Sequence, residues 1–242
     1  MAEVIPTKRI AVVTGANKGI GLEICRQLAS KGVLVVLTAR DEERGLEAVK
    51  SLKVSGFSDV VFHQLDVVDD LSIASFANFI RNQFGRLDIL VNNAGITGTE
   101  IKEDDWKKLR FGVEDFFPNE KTKKMLGDVD GLTEEKVEEL VEEFLEDFKN
   151  DLVETKRWPT LFSAYTVSKA AQNAYTRILA KKYPKIAINA VCPGFTCTDL
   201  NCNNGSVTTE EGARGPVMLA LMPDHQRPSG CFFFQTEMST FE

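Results

Sequence analysis

The chain has 242 residues, of which 43% are hydrophobic and 27% charged, and its formal charge is −7. That length can bury a sizeable core, and the composition excludes a disordered or fibrous chain. The acidic balance argues against nucleic acid or an anionic membrane as the main partner.

The first ninety-five residues alternate regularly. Arg9 to Thr14 is a short apolar run that ends in a glycine turn, and Ile20 to Lys31 places Ile20, Ile24 and Leu28 at helical spacing. Val33 to Thr38 is apolar on both faces, as a strand covered by helices on each side should be. Glu42 to Leu52 reads as a helix, Val60 to Leu65 as a strand, Leu71 to Phe84 as an amphipathic helix, and Leu87 to Val91 as another strand. Strand and helix in turn predict βαβ units, a parallel sheet and right-handed crossovers. With no repeat and no low-complexity linker, residues 1–242 read as one domain.

After Gly95 the rhythm stops. From Ile96 to Thr160 no apolar run exceeds two residues, so no buried parallel strand can be read there. One helix can. Thr133 suits its N-cap, Glu134 and Glu135 its positive end, and Val137, Leu140, Val141, Phe144, Leu145 and Phe148 form its apolar stripe. The chain's acidity is concentrated here: Thr99 to Arg157 holds nineteen acidic and eleven basic residues, a net of −8. The ordinary account is a solvated outer helix face. The βα rhythm resumes with a helix from Ala164 to Lys182 and strands at Ile186 to Cys192 and Gly230 to Phe234.

Cys25, Cys192, Cys197, Cys202 and Cys231 include no C-x-x-C pair, and only His63 and His225 could assist them. No metal site is expected, and reduced thiols fit a cytoplasmic protein. No apolar run approaches a membrane span and no signal peptide is recognisable, so a soluble protein is expected.

Four elements carry chemistry. Thr14-Gly15-Ala16-Asn17-Lys18-Gly19-Ile20-Gly21 lies between the first strand and the first helix. Glycines there permit a tight turn and let backbone N–H groups approach a pyrophosphate at the helix N-terminus. The second strand ends in Arg40, where an acidic residue would select NAD and a cation suits a 2′-phosphate. Arg40 and Lys18 therefore favour NADP(H), the competing account being a surface Arg40–Asp41 pair; NAD(H) is the alternative cofactor. Asn92-Asn93-Ala94-Gly95 closes the fourth strand. Finally, Tyr165 and Lys169 stand at i, i+4 on one helix face. An ammonium there can stabilise a phenolate and move the phenol toward the working range of an acid–base catalyst.

Together with Pro193-Gly194, these phrases resemble the short-chain dehydrogenase/reductase family, in its carbonyl-reductase-like plant branch, over nearly the whole chain. "VVTGANKGIGLEICRQLAS", "VVLTARDEERGLEAV", "LDILVNNAGI", "AYTVSKAAQNAYTRILAKK" and "INAVCPGF" carry the likeness. It implies an α/β fold with a Rossmann-type doubly wound parallel sheet and an acidic helical insert at about 131–158. It implies NADPH-dependent reduction of a ketone or aldehyde, with Tyr165 as proton donor and Lys169 on the nicotinamide ribose. Gly15, Asn17, Lys18, Gly19, Ile20, Gly21, Arg40, Asp66, Val67, Asn92, Ala94 and Gly95 would bind the cofactor, and Pro193, Gly194 and Thr198 would close over its nicotinamide end. The only partner implied is a small carbonyl substrate, and the branch is typically monomeric.

One part departs from the pattern. The family places, before the Tyr, a helix with an active-site Asn and a central strand ending in a catalytic Ser. This chain has no serine between Phe76 and Phe162, and Ser163 is too close to Tyr165 to take the role by motif position. An internal deletion describes this most simply, leaving the sheet short of one central strand. Losing one oxyanion-type donor costs about 10²–10³ in rate. Losing a buried strand forfeits on the order of 10 kcal/mol, comparable to a domain's whole stability. A catalytically silent cofactor-binding variant is therefore the second functional expectation.

Overall fold

A computed structural model describes residues 8–98, 119–128, 130–160 and 162–241. The chain forms two compact units, the first made of Met1–Gly95, Pro193–Asp199 and Gly205–Leu221, the second of Ile96–Cys192, Leu200–Asn204 and Met222–Glu242.

In the first unit, strands β1 (Ile10–Val13), β2 (Leu34–Ala39), β3 (Val60–Gln64) and β4 (Ile89–Val91) form one parallel sheet in the order β3-β2-β1-β4. The β-branched runs bury both faces of that sheet, because side chains alternate along a strand. Ala11, Val13, Val35 and Leu37 pack with Ile24, Cys25 and Leu28 of helix α1 (Gly19–Ser30) and Ala48, Val49 and Leu52 of helix α2 (Glu42–Val54). Val12 and Val36 face the other way, onto Phe76 and Ile80 of helix α3 (Asp70–Phe84). Helices on both faces of a parallel sheet make this the Rossmann-type architecture that the alternation predicts. The ends of α3 are set locally: Asp69 accepts from the Leu71 amide at 3.0 Å, and Gly85 stops the helix at φ 69°.

The second unit is mainly helical. Asn119 caps α4 (Glu120–Gly127), and the Thr133 hydroxyl accepts from the Lys136 amide at 3.3 Å to open α5 (Glu134–Lys149). Helix α6 (Ser163–Lys182) contributes Val167 to a buried cluster with Leu140, Phe144 and Trp158. Beyond it, β5 (Ala190–Cys192), β6 (Phe232–Phe234) and β7 (Glu237–Ser239) form a three-stranded sheet. β5 and β6 are parallel, and β7 returns antiparallel to β6.

The element pattern differs from the sequence reading in four places. Helix α4 and strand β7 were not foreseen, because neither carries a clear apolar period. Helix α7 (Thr209–Leu221), in the first unit, occupies a stretch for which the sequence reading gives no element; Ala213 and Val217 bury it in the α1 cluster. The stripe on α5 is narrower than its hydrophobicity predicts. Leu145 and Phe148 are about half exposed, whereas Asp147 is buried because its carboxylate accepts the Trp158 indole N–H at 2.8 Å. A hydrogen-bonded Asp thus takes a place that spacing alone assigns to an apolar residue.

The expected shortfall of a central strand corresponds to two open edges. Among the described residues no strand pairs with β4 on its side away from β1, and none pairs with β5 on its side away from β6. No helix of the described residues is long and apolar enough to cross a membrane.

Candidate active site

The glycine turn is built by hydrogen bonds from the end of β4. Thr14 Oγ1 accepts from the Asn93 and Ala94 amides at 3.0 and 2.9 Å. In return, Asn93 Nδ2 donates to the carbonyls of Thr14 at 2.9 Å and Gly15 at 3.2 Å. The closeness of these segments explains two glycines. A Cβ on Gly15 would lie 2.9 Å from Ala94 Cα, on a backbone at φ +59°, and one on Gly21 would lie 2.4 Å from Asn93 Nδ2. Because β2 and β4 flank β1 on opposite sides, the turn sits at the reversal of strand order, where open α/β sheets bind ligands. Gly15, Asn17, Lys18, Gly19, Ile20, Gly21, Asn92, Ala94 and Gly95 all belong to this first unit. Asn93 and Thr14 are the members that sequence reasoning missed; the doubled Asn and the Thr before the first Gly were the available signals.

Arg40 and Asp66, at the tips of β2 and β3, line one cavity of about 420 Å³ together with His63, Gln64, Asp69 and Ser72. Gln64 Nε2 donates to the Arg40 carbonyl at 2.8 Å and ties the two tips together. Asp66 also organises its own loop, its carboxylate accepting from the Val68 amide at 3.1 Å. Val67 between them is exposed. The proposed Arg40–Asp41 surface pair does not form. Asp41 instead accepts from the Arg44 amide at 2.9 Å as the cap of α2, and its carboxylate lies 3.6 Å from the Arg44 guanidinium.

Pro193, Gly194 and Thr198 lie on a loop of the first unit that is tied to residues before α7. The Phe195 carbonyl accepts from Ser206 and Val207, and the Cys197 amide donates to Val207 at 2.8 Å. Thr196, not singled out in the sequence, folds back so that its hydroxyl bonds the Pro193 and Gly194 carbonyls.

Tyr165 and Lys169 belong to the second unit, one turn apart on α6. Lys169 Nζ stands 5.8 Å from the centre of the Tyr165 ring and donates to Gln172 Oε1 at 3.1 Å. Partial burial pushes the phenol above its ordinary range, the neighbouring Cys192 adding to the rise. Partial burial likewise lowers the Lys169 ammonium. The expected lowering of the phenol by the ammonium is therefore not seen; desolvation outweighs it.

Comparison with known proteins bears on both units. The short chain dehydrogenase family profile matches residues 9–111 and 153–207. The chain belongs to this family. The short-chain dehydrogenase profile skips the stretch that contains α5, the acidic insert. The (+)-neomenthol dehydrogenase of Arabidopsis thaliana is 45% identical, with all of both chains covered. That alignment runs over 298 positions although this chain has 242 residues, so the shortfall is internal. The structure of salutaridine reductase from Papaver somniferum superposes with a TM-score of 0.84 at 40% identity, covering 94% of this chain and 99% of that one. Carbonyl reductase (NADPH) 3 of Mus musculus is 39% identical over 92% of this chain and 94% of its own length.

Proposed function

We propose that this short-chain dehydrogenase reduces a ketone or aldehyde to an alcohol with NADPH, acting as a cytoplasmic monomer. The observation that carries the reading is the Tyr165–Lys169 pair, one helical turn apart with the ammonium 5.8 Å from the phenol ring. The names of its relatives, a neomenthol dehydrogenase and an NADPH carbonyl reductase, support it. The glycine turn fits a dinucleotide, since the space at Gly15 and Gly21 is closed to side chains by Ala94 and Asn93 while the backbone itself remains able to bind phosphate.

NADPH, when bound, supplies the hydride. Gly15, Asn17, Lys18, Gly19, Ile20 and Gly21 would hold its pyrophosphate and Arg40 its 2′-phosphate, with Asp66 and Val67 at the adenine. Asn92, Ala94 and Gly95 would line the cofactor, and Pro193, Gly194 and Thr198 its nicotinamide end. Tyr165 protonates the carbonyl oxygen. Burial holds the phenol above its ordinary range, so the reading needs the Lys169 ammonium to offset that rise when substrate and cofactor are bound. Lys169 would hold the nicotinamide ribose and would stabilise the phenolate left by proton transfer.

A second reading, a silent cofactor-binding variant, is favoured by the absence of any serine between Phe76 and Phe162 and by the lack, among the described residues, of a strand on the side of β4 away from β1. The two readings separate cleanly. Titration with NADPH should raise the thermal melt, and a panel of ketones should be turned over. Tyr165→Phe should lower turnover by about 10²–10⁴-fold while the NADPH-induced shift persists. A folded protein that melts higher with NADPH yet reduces nothing would establish the silent reading. Tighter binding of NADH than of NADPH would overturn the cofactor assignment.

A further inference from the structure

The glycine turn carries a contact that its cofactor role does not use. Lys18 Nζ lies 3.0 Å from Asp199 Oδ2, a residue 181 positions away in sequence but in the same unit. The preceding residue reinforces the approach, since a Cβ on Gly19 would lie 3.6 Å from Thr198 Cγ2. Two consecutive residues of the Pro193–Asp199 loop therefore meet two consecutive residues of the turn. The loop cannot follow Lys18 freely, because Phe195 and Cys197 are bonded to Val207 and Gly212 packs against Thr196. Asp199 is thus presented to Lys18 from a tethered support.

An anion arriving at the turn meets a lysine already neutralised by a carboxylate. Elsewhere the local carboxylates are committed: Asp41 caps α2 beside Arg44, and Asp66 accepts from the Val68 amide. Asp199 instead pairs with a cation of the turn itself.

We propose that Asp199 is an affinity-setting latch: its carboxylate holds Lys18 in the cofactor-free protein and must release it when the phosphates of NADPH bind. The inference rests on the cofactor reading above. Asp199 takes no part in the chemistry and acts through Lys18, lowering the affinity below what the turn alone would provide. Both side chains are more than half exposed, so the effect is modest.

The test is a four-protein cycle, parent, Asp199→Asn, Lys18→Met and the double variant, with NADPH dissociation constants measured by fluorescence titration. Asp199→Asn should bind NADPH about two- to fivefold more tightly than the parent, a size set by the small coupling of exposed ion pairs. In the Lys18→Met background the same change should have almost no effect, and Asp199→Glu should restore parental affinity. Unchanged or weaker binding in Asp199→Asn overturns the latch, as does equal tightening in both backgrounds, which would mean simple repulsion of the cofactor. Failure of all the proteins to bind NADPH would overturn the cofactor reading and the latch with it. Binding with equal constants would overturn the latch alone.

Discussion

The two units are stabilised in different ways. In the first, the sheet supplies the core: Val12, Val13, Val35, Val36 and Leu37 are fully buried, with helices on both faces. In the second, every residue of β5 is only half-buried, and Phe234 on β6 and Met238 on β7 are more exposed still. Its firmest packing is between helices, where Trp158 is buried against Leu140, Phe144 and Val167. A strand contributes most when it has neighbours on both sides, and among the described residues β5 has one. The α5 side chains support a core that the sheet does not complete. The acidic segment, easily read as a solvated ornament, is structural on its inner face.

The severest way to test that contrast is Trp158→Ala. Removing the indole costs about 3–5 kcal/mol in packing, and stripping the Asp147 carboxylate of its donor adds about 1–3 kcal/mol. Hydrogen exchange should show protection lost in α5 and α6 and retained in β1 to β3. Equal loss in all of these elements would show that the two cores melt as one. Trp158→Phe retains an aromatic ring but removes the N–H, and should recover much of the packing.

A smaller effect is expected in the first unit from Thr14→Val. The substitution keeps the shape while leaving the Ala94 amide without its acceptor and the Asn93 amide with the Val91 carbonyl as its acceptor. Each buried unpaired group costs about 1–3 kcal/mol, read as a lower denaturation midpoint at unchanged m-value. Because the glycine turn is held by the same network, NADPH affinity should fall together with stability. Loss of stability with unaltered affinity would separate the turn from the strand end that is argued to hold it.

How much was legible in the sequence follows the same division. The first unit could be read almost element by element, since runs such as Val33 to Leu37 bury both faces and announce themselves without tertiary context. Its glycine turn was equally visible, but Asn93 was not, because its work is done through bonds to a segment 79 positions earlier. In the second unit, Thr133 and the α5 period were clear, while Asp147 looked polar and exposed until Trp158 supplied its partner. Tyr165 and Lys169 could be singled out as a pair only by joining their spacing to the glycine turn, the Asn92–Gly95 phrase and Pro193-Gly194. Their ionisation could not, because desolvation depends on surroundings that the i, i+4 rule ignores. The shortfall of a strand among the described residues was legible for a different reason: a parallel strand needs an apolar run, and none longer than two residues occurs from Ile96 to Thr160.

The least effect, and the finest form of the comparison, concerns how each unit starts a helix. Thr133 caps α5 with its hydroxyl on the Lys136 amide, and its side chain also hydrogen-bonds the Glu135 carboxyl, which is held below its ordinary range by its own backbone amide and by this bond. Helix α7 has a reciprocal arrangement: Glu211 accepts from the Thr208 amide and hydroxyl at 2.9 Å each, and the Thr208 hydroxyl accepts from the Glu211 amide at 3.2 Å. Thr133→Ala should cost about 1 kcal/mol, measurable by urea unfolding at neutral pH. The α7 cap should depend on pH, because hydrogen bonds from the Thr208 backbone and hydroxyl hold the Glu211 carboxyl below its ordinary range. A lowered folded-state pKa means that the carboxylate's contribution is fully present above the ordinary carboxylate pKa. It is lost as the pH falls through the lowered value. The stability difference between the parent and Glu211→Gln should therefore be present at neutral pH and vanish in acid. A difference that survived acidification would mean that the Glu211 side chain supports α7 by packing, not by its charge.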